Sequence, residues 1–419
     1  MRIAKLILFT ALIIAINTCR SDKHQADENA SSSGEAGDSE SLEYMIKLDV
    51  VIKHWDGKYN WTQPRVGVVP ATEGRHDPIL IFTMQKWFVE KSDYYSGLYV
   101  VRSNDMGITW TKPEERPELG WRFKGDSIIV GICDFVPGWH QPTGKLIALG
   151  HTVYYLKDGQ LLQNRPRATA YSVYDPKSDT WTAWDELEMP DNDKFYNSGS
   201  GCAQWLVNSD GTLLIPAYFK GKGDTTNCST STVLHCRFDG EKLIYIEHGD
   251  ELNLDVPRGY DEPSITFYKN KYYLTLRNDI KGYMSVGEDG LHWLPPIPWK
   301  FEDGSELGSY NTQQHWVTHR EGLFLAYTRR GANNDYIPRN RAPLFMAQVD
   351  VDQLCVLRKS ERILVPERGA MLGNFGVTKI NEQETWVTVG ENMFKSKDKD
   401  RLADGSVFAA RIIWSKPNF

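Results

Sequence analysis

LFLAYTRRGANND, residues 323–335, begins as an unbroken apolar run and ends in two adjacent arginines. The pattern matters because it recurs. A turn followed by an alternating or continuous apolar strand stands at DPILIFTMQK (77–86), GKLIALGH (144–151), GTLLIPAYFK (211–220), NKYYLTLRND (270–279), GLFLAYTRRG (322–331) and ETWVTVGEN (384–392). Each is preceded by another strand and a turn such as NSDG, YKNK, HREG or INEQ. Short apolar runs bounded by turn residues read as strands. Long amphipathic helical patterns are nearly absent, while tryptophan (14) and tyrosine (20) are plentiful. The chain therefore reads as all-β.

Strand-rich units of roughly 40–60 residues are the size of a propeller blade. Six units can be counted, each predicted to be a four-stranded antiparallel blade; a seventh would also fit the spacing. LDVVIKHW (48–55) is predicted to supply the outer strand of the last blade. Closing the ring with both termini removes exposed sheet edges. The domain is expected over 43–419.

Residues 1–18 have a short basic start and an apolar run too short to span a bilayer, the pattern of a secretory signal peptide. Cys19 follows Ile-Asn-Thr and resembles a bacterial lipid-acceptor cysteine. The expectation is an exported lipoprotein in the periplasm or outer membrane, touching the membrane only through that anchor, or otherwise a secreted protein. Residues 19–42 are acidic and Ser/Gly-rich, and read as a disordered tether. The net charge is −7 with no internal basic block, which argues against nucleic acid as a partner. The remaining five cysteines show no CxxC spacing, so neither a disulfide framework nor a zinc knuckle is indicated. His315 and His319 lie about 13 Å apart on a strand and cannot share one ion.

In a propeller the second strand of each blade ends at the face that binds ligands. The residues at those ends are Gln85/Lys86, His151, Tyr218/Lys220, Arg277/Asn278, Arg329/Arg330 and Glu391/Asn392. A ring of cations in an acidic protein implies an anionic ligand, because like charges gathered without counter-ions repel. Lys220, Arg277 and Arg329, with His315 and Asn311 from the polar stretch YNTQQHW (310–316), are the candidate binding residues. As strand-end surface cations, Arg277, Arg329 and Lys220 should contribute little to stability. Asp134 and Glu262 fall near the same face. DYIPRNRAPLF (335–345) is expected to form a loop over it.

SNDMGITW (103–110) resembles the Asp-box of sialidase-like propellers, and VGEDGLHW (286–293) resembles a degraded copy with Glu288 at the Asp position. Within that superfamily, YNTQQHW and YTRRGANND make the chain look most like propeller lyases acting on ulvan and related uronate-eliminating enzymes. The resemblance implies a histidine pair, a tyrosine acid/base, a second tyrosine and a carboxylate-neutralising arginine. His151 matches one histidine, Tyr196 and Tyr260 the tyrosines, and Lys220 the cation. The other histidine should lie near Gly131-Ile132-Cys133-Asp134, where none is present.

The expected function is thus a carbon–oxygen lyase on uronate-containing oligosaccharides or polysaccharides. It would eliminate across C4–C5 and release a sugar or water, with His151, Tyr196 and Tyr260 catalytic. No cofactor is required; a structural or catalytic divalent metal is compatible, with ligands unknown. One alternative is an exo-glycosidase of sialidase type. Sialidases hold a carboxylate with three arginines and use a Tyr/Glu pair, which Arg277, Arg329, Tyr310 and Glu262 could imitate. Their N-terminal Arg-Ile-Pro is absent here, and QPRVG offers Arg65 without it. A non-catalytic glycan-binding surface lipoprotein is the third class.

Overall fold

The apolar runs pair into six antiparallel sheets in a computed structural model that describes residues 42–89, 91, 93–163, 165–394 and 402–419. The signal, Cys19 and tether readings lie outside the described residues. The sheets form a six-blade β-propeller with almost no helix, so the count is six and not seven. Blade 1 runs from Tyr59–Val69 through Ile79–Phe88 and Tyr95–Ser103 to Glu114–Glu115. Blade 2 is built on Ile128–His140, Lys145–Leu156 and Thr169–Asp175. In blade 3 the first strand is broken into Asn197–Gly199 and Leu206–Val207, both paired with Leu213–Lys220. Blade 4 starts at Asp261–Tyr268 and Lys271–Arg277, and blade 5 at His315–His319 and Gly322–Tyr327. In blade 6, Glu384–Asn392 pairs with Ser406–Trp414.

The N-terminal strand Tyr44–Lys53 completes blade 6, running antiparallel to Ser406–Trp414 from Tyr44↔Trp414 to Lys53↔Ser406. This is the expected closure. Tyr44, Ile46 and Leu48 also pack onto the core between blades 5 and 6. Removing residues 1–42 should therefore leave a cooperatively melting domain. Removing residues 1–54 should expose the Ser406–Trp414 edge and that core face, giving aggregation or a broad transition in a thermal melt. Equal melting of the two truncations would refute a closing role for this strand.

The hydrophobic core lies between blades rather than at the axis. Among the described residues, seven apolar clusters fill the six gaps between the sheets, two of them between blades 1 and 2. Val100 meets Leu146 between blades 1 and 2, for example, and Trp61 and Leu80 meet Trp386 and Val407 where blade 6 returns to blade 1. Because side chains alternate across a strand, both faces of each sheet are buried and the strands read as continuous apolar runs. The axis is left to polar groups.

The turn 103–110 sits on the outer hairpin of blade 1. The Asp105 carboxylate accepts from the Thr109 amide at 2.9 Å and the Ser103 hydroxyl at 2.8 Å. Gly107 has φ +78°, and a Cβ there would come 2.6 Å from the Trp386 ring. Trp110 packs on Phe82 at 5.4 Å. In the second copy the turn carboxylate is Asp289, which accepts from the Leu291 and His292 amides, and not Glu288, which pairs with Lys271.

Candidate functional site

At the axis the innermost strands are irregular in a repeated way. Ladder shifts fall at Thr62/Arg65, Cys133/Val136 and Asp261/Ser264 in blades 1, 2 and 4. In or beside the inner strand of each of blades 1 to 5, a non-glycine residue takes positive φ: Gln63, Asp134, Cys202, Glu262 and Asn311. A bulge re-aims a side chain, and a left-handed non-glycine residue is costly, so such residues collect at sites that need them. Here they carry polar groups to the axis.

These groups bond to one another beneath a central cavity of about 520 Å³. Gln63 donates to Asp134 Oδ2 at 3.0 Å, and its own carbonyl accepts from the Asp134 amide at 3.1 Å. The Asn374 side-chain amide donates to Asp134 Oδ1 at 3.2 Å and contacts Cys202 Sγ at 3.0 Å. On the other side, Arg277 donates to Glu262 Oε1 at 2.5 Å and to Asn311 Oδ1 at 3.0 Å, while Arg341 donates to the Asn311 carbonyl. Among the described residues, seven cationic side chains and four carboxylates line the cavity. A cationic hollow in an acidic protein concentrates anions.

The two buried carboxylates are pushed in opposite directions. Burial raises Asp134, and Arg65 at 3.6 Å offsets this only in part. Burial would also raise Glu262, but Arg277, with Arg258 and Arg341, outweighs it and holds the group below its ordinary value. Burial and Arg277 push Arg341 down to about 9, which leaves it a cation at neutral pH.

His151 lies on the blade 2 side of the cavity, directly across the ladder from Cys133, with Cys133 Sγ 3.0 Å from His151 Nε2. Burial, then Arg167 and Arg165, hold the imidazole well below its usual pKa, and burial raises the Cys133 thiol. Both groups are thus neutral, and one hydrogen lies between sulfur and nitrogen. Tyr218, from blade 3, presents its ring edge-on to His151 at 6.3 Å. The Arg167 guanidinium lies 4.1 Å over the Tyr218 ring. Burial holds the Tyr218 phenol well above its ordinary value, with Arg167 opposing.

The sequence-derived candidates separate clearly. His151 and Arg277 line the cavity, and Asn311 braces Arg277 and Arg341. The loop 335–345 does cover this face, bringing Pro338, Arg339 and Arg341 to the wall. Lys220 and Tyr196 line a neighbouring depression instead of the central cavity. Tyr260 is core: its ring packs on Tyr283 at 5.2 Å between blades 3 and 4. His315 is buried behind the cavity, bonded to Ser264 at 2.9 Å, and burial and Arg65 push it down to about 3.

Arg329 is a correction. It turns away from the cavity, donates to Glu361 at 2.6 and 2.8 Å, and packs over Phe345. Its neighbour Arg330 lies 4.0 Å over Tyr310. Both follow a strand that ends at Tyr327, and neither lines the central cavity. Arg277, too, is no surface cation: it is 4% exposed and ion-paired, so its removal costs stability.

The sequence reading missed Arg165, Arg167 and Arg258, and passed over Tyr218 for Tyr196. The RPR stretch 165–167 precedes a third strand, so a search of second-strand ends does not find it. Cys133, Asp134 and His151 each offer an atom within 4.8 Å of the others, a possible metal trio. Those donors are already bonded to one another and to Gln63 and Asn374, and Arg65, Arg165 and Arg167 oppose a cation there. The trio does not fit a metal in this arrangement.

The fold is similar to that of Trypanosoma rangeli sialidase in complex with the inhibitor DANA, at 14% identity, TM-score 0.56, covering 87% of this chain. This chain spans 59% of that sialidase's length. A Hadza microbial sialidase matches at 12% identity and TM-score 0.58, covering 87% of this chain and 68% of that one. A leech intramolecular trans-sialidase complexed with 2,7-anhydro-Neu5Ac matches at 12% identity and TM-score 0.57, covering 87% and 70%. At such identities the likeness is one of fold. No protein-family model matches the chain, and no curated protein matches it.

Proposed function

We propose that this propeller is a carbohydrate-active enzyme that binds a carboxylated sugar in its central cavity and cleaves a C–O bond by β-elimination. The observation that carries the reading is the grouping of His151, Tyr218 and Arg167 on one wall. Elimination at a uronate needs three things: a cation on the carboxylate as enolate charge develops, a base at C5, and an acid at the C4 oxygen. Arg167 forms no ion pair among the described residues, so its charge is open to a substrate carboxylate. The neutral imidazole of His151 is in the protonation state of a base, and the protonated phenol of Tyr218 in that of an acid.

The bonds balance as follows. His151 Nε2 gives up its contact with Cys133 and takes the C5 proton. The C5–H electron pair becomes the C4=C5 bond. The C4–O pair leaves with oxygen, which takes the Tyr218 proton. A sugar leaving group makes the enzyme a lyase; water makes it a dehydratase. Cys133 stands where a second histidine of the ulvan-lyase pattern was expected, and serves here to orient His151.

A second reading, hydrolysis of sialidase type, draws on the opposed carboxylates. Glu262 is held ionised and Asp134 is pushed toward its acid form in one cavity, and such separation marks acid/base pairs. The buried Arg65, Arg277 and Arg341 add cations around them. Against it, Glu262 Oε1 is spent on Arg277 and no tyrosine bonds Glu262 among the described residues. Ultraviolet absorbance during incubation with uronate oligosaccharides separates the two. Elimination should yield an absorbing unsaturated uronate from uronate substrates. Release of reducing sugar with no absorbing product would overturn elimination in favour of hydrolysis.

A further inference from the structure

Buried polar atoms without a protein partner are not spread evenly. A group of them lies where blades 2 and 3 meet: Arg165 Nε, Arg167 Nε, Asn197 Oδ1 and Ser198 Oγ. Native proteins leave few such atoms, and each calls for an explanation. Two are donors on cations and two are acceptors or hydroxyls. That mixture fits an anionic sugar, which brings both acidic oxygens and hydroxyl groups.

The same residues connect the central cavity to the outside. Arg165 and Arg167 line the central cavity and also a depression of about 200 Å³, where Asn197, Lys220 and Ser229 join them and the carboxylates of Asp261 and Asp279 are paired with Arg258. A third hollow of about 210 Å³ continues past Arg165, Asn197 and Lys220. The three form one path over blade 3. Arg165 and Arg167 stand two residues apart on one wall, and neither forms an ion pair among the described residues. Lys220 reaches only the Thr226 carbonyl, at 3.4 Å, and Asp224 shares its hollow without pairing to it. Asp93 and Asp224 offset Arg165 and Lys220 only from beyond ion-pair distance, and like charges held this close are costly unless an anion completes them.

We infer that Arg165, Asn197 and Lys220 form a second subsite, which takes an acidic unit of an oligosaccharide whose neighbouring sugar occupies the central cavity. The inference deepens the reading of the central cavity above and rests on it for the position of the first sugar. It makes the ligand an oligomer with repeated anionic groups, carboxylate or sulfate, and not an isolated acidic monosaccharide. It also accounts for Lys220 lying outside the central cavity.

Calorimetry on the full chain tests this without reference to turnover. The probes are oligogalacturonates of two and four units, a sulfated carrageenan tetrasaccharide and neutral cellotetraose. An acidic tetramer should bind roughly tenfold tighter than the digalacturonate, the scale of one or two charge-assisted hydrogen bonds. Most of that gain should vanish in Lys220→Met and in Arg165→Met, and in wild type at high salt. Whichever tetramer binds tighter, carboxylated or sulfated, identifies the anion. The subsite is overturned if no acidic tetramer binds better than the dimer, if cellotetraose binds as well as the acidic tetramers, or if both variants keep the gain. Tetramer gain without unsaturated product would overturn elimination and leave the subsite standing. Unsaturated product without tetramer gain would do the reverse.

Discussion

Tyr218→Phe should lower kcat for unsaturated-uronate formation by about 10²–10⁴-fold, the usual contribution of a positioned proton donor. The substitution deletes one oxygen. The ring keeps its place under the Arg167 guanidinium and against His151, and the buried strand Leu213–Lys220 keeps its ladder to Cys228–Phe238. The melting temperature should therefore change little, and binding of acidic oligosaccharides should persist. Tyr196→Phe supplies the contrast. Tyr196 lines the outer hollow and not the central cavity, so its removal should spare the chemical step. If Tyr218→Phe retains wild-type kcat, the proton donor lies elsewhere, and Asp134, whose carboxyl is raised by burial, becomes the first group to examine.

The second large effect is on stability. Glu262→Gln should destabilise the domain by about 3–5 kcal/mol, because it leaves the buried Arg277 without its closest counter-charge. Glu262 and Arg277 are 8% and 4% exposed, and their contact is 2.5 Å. The remaining partners of Arg277 are Asp279 at 3.4 Å and Asn311 at 3.0 Å. The double change Glu262→Gln/Arg277→Met should be milder than Glu262→Gln alone, since it removes the stranded charge as well. The pH dependence follows from the same pair. The folded-state carboxyl lies below its ordinary value of 4.5. Its stabilisation is present above that value and is lost as pH falls through the lower folded-state value. Denaturant midpoints measured from neutral to acid pH should fall there in wild type, and should show less of this fall in Glu262→Gln. A Glu262→Gln domain as stable as wild type would show that the pair contributes nothing net.

Much of the architecture was legible because it is written in local, repeated patterns. Six turn-plus-strand units, the N-terminal strand that closes blade 6 and the turn at Asp105–Gly107 each depend on residues close in sequence or on a regular alternation. A period of two tells which strand positions are buried, and a propeller buries both faces of each sheet. The spacing of landmark strands therefore carried through to the fold.

The site was legible only in part. His151 and Arg277 could be found at strand ends, and the 335–345 loop could be aimed at the correct face. Arg329 could not be told from Arg277 by sequence, since both end a second strand in the same pattern. The difference is a carboxylate 32 residues further on, Glu361, which draws Arg329 sideways, against Glu262 on the neighbouring strand of the same blade for Arg277. The bulges at Gln63, Asp134 and Glu262 each shift the register by one residue, and in blade 3 the break in the inner strand holds Cys202. A shift of one residue moves a side chain to the opposite face. Periodicity and turn chemistry are local, and they were sufficient for the blades. Which charges meet at the axis depends on inter-blade partners far apart in sequence, such as Arg65 and Asn374, 309 residues apart, and only the closed ring brings those together.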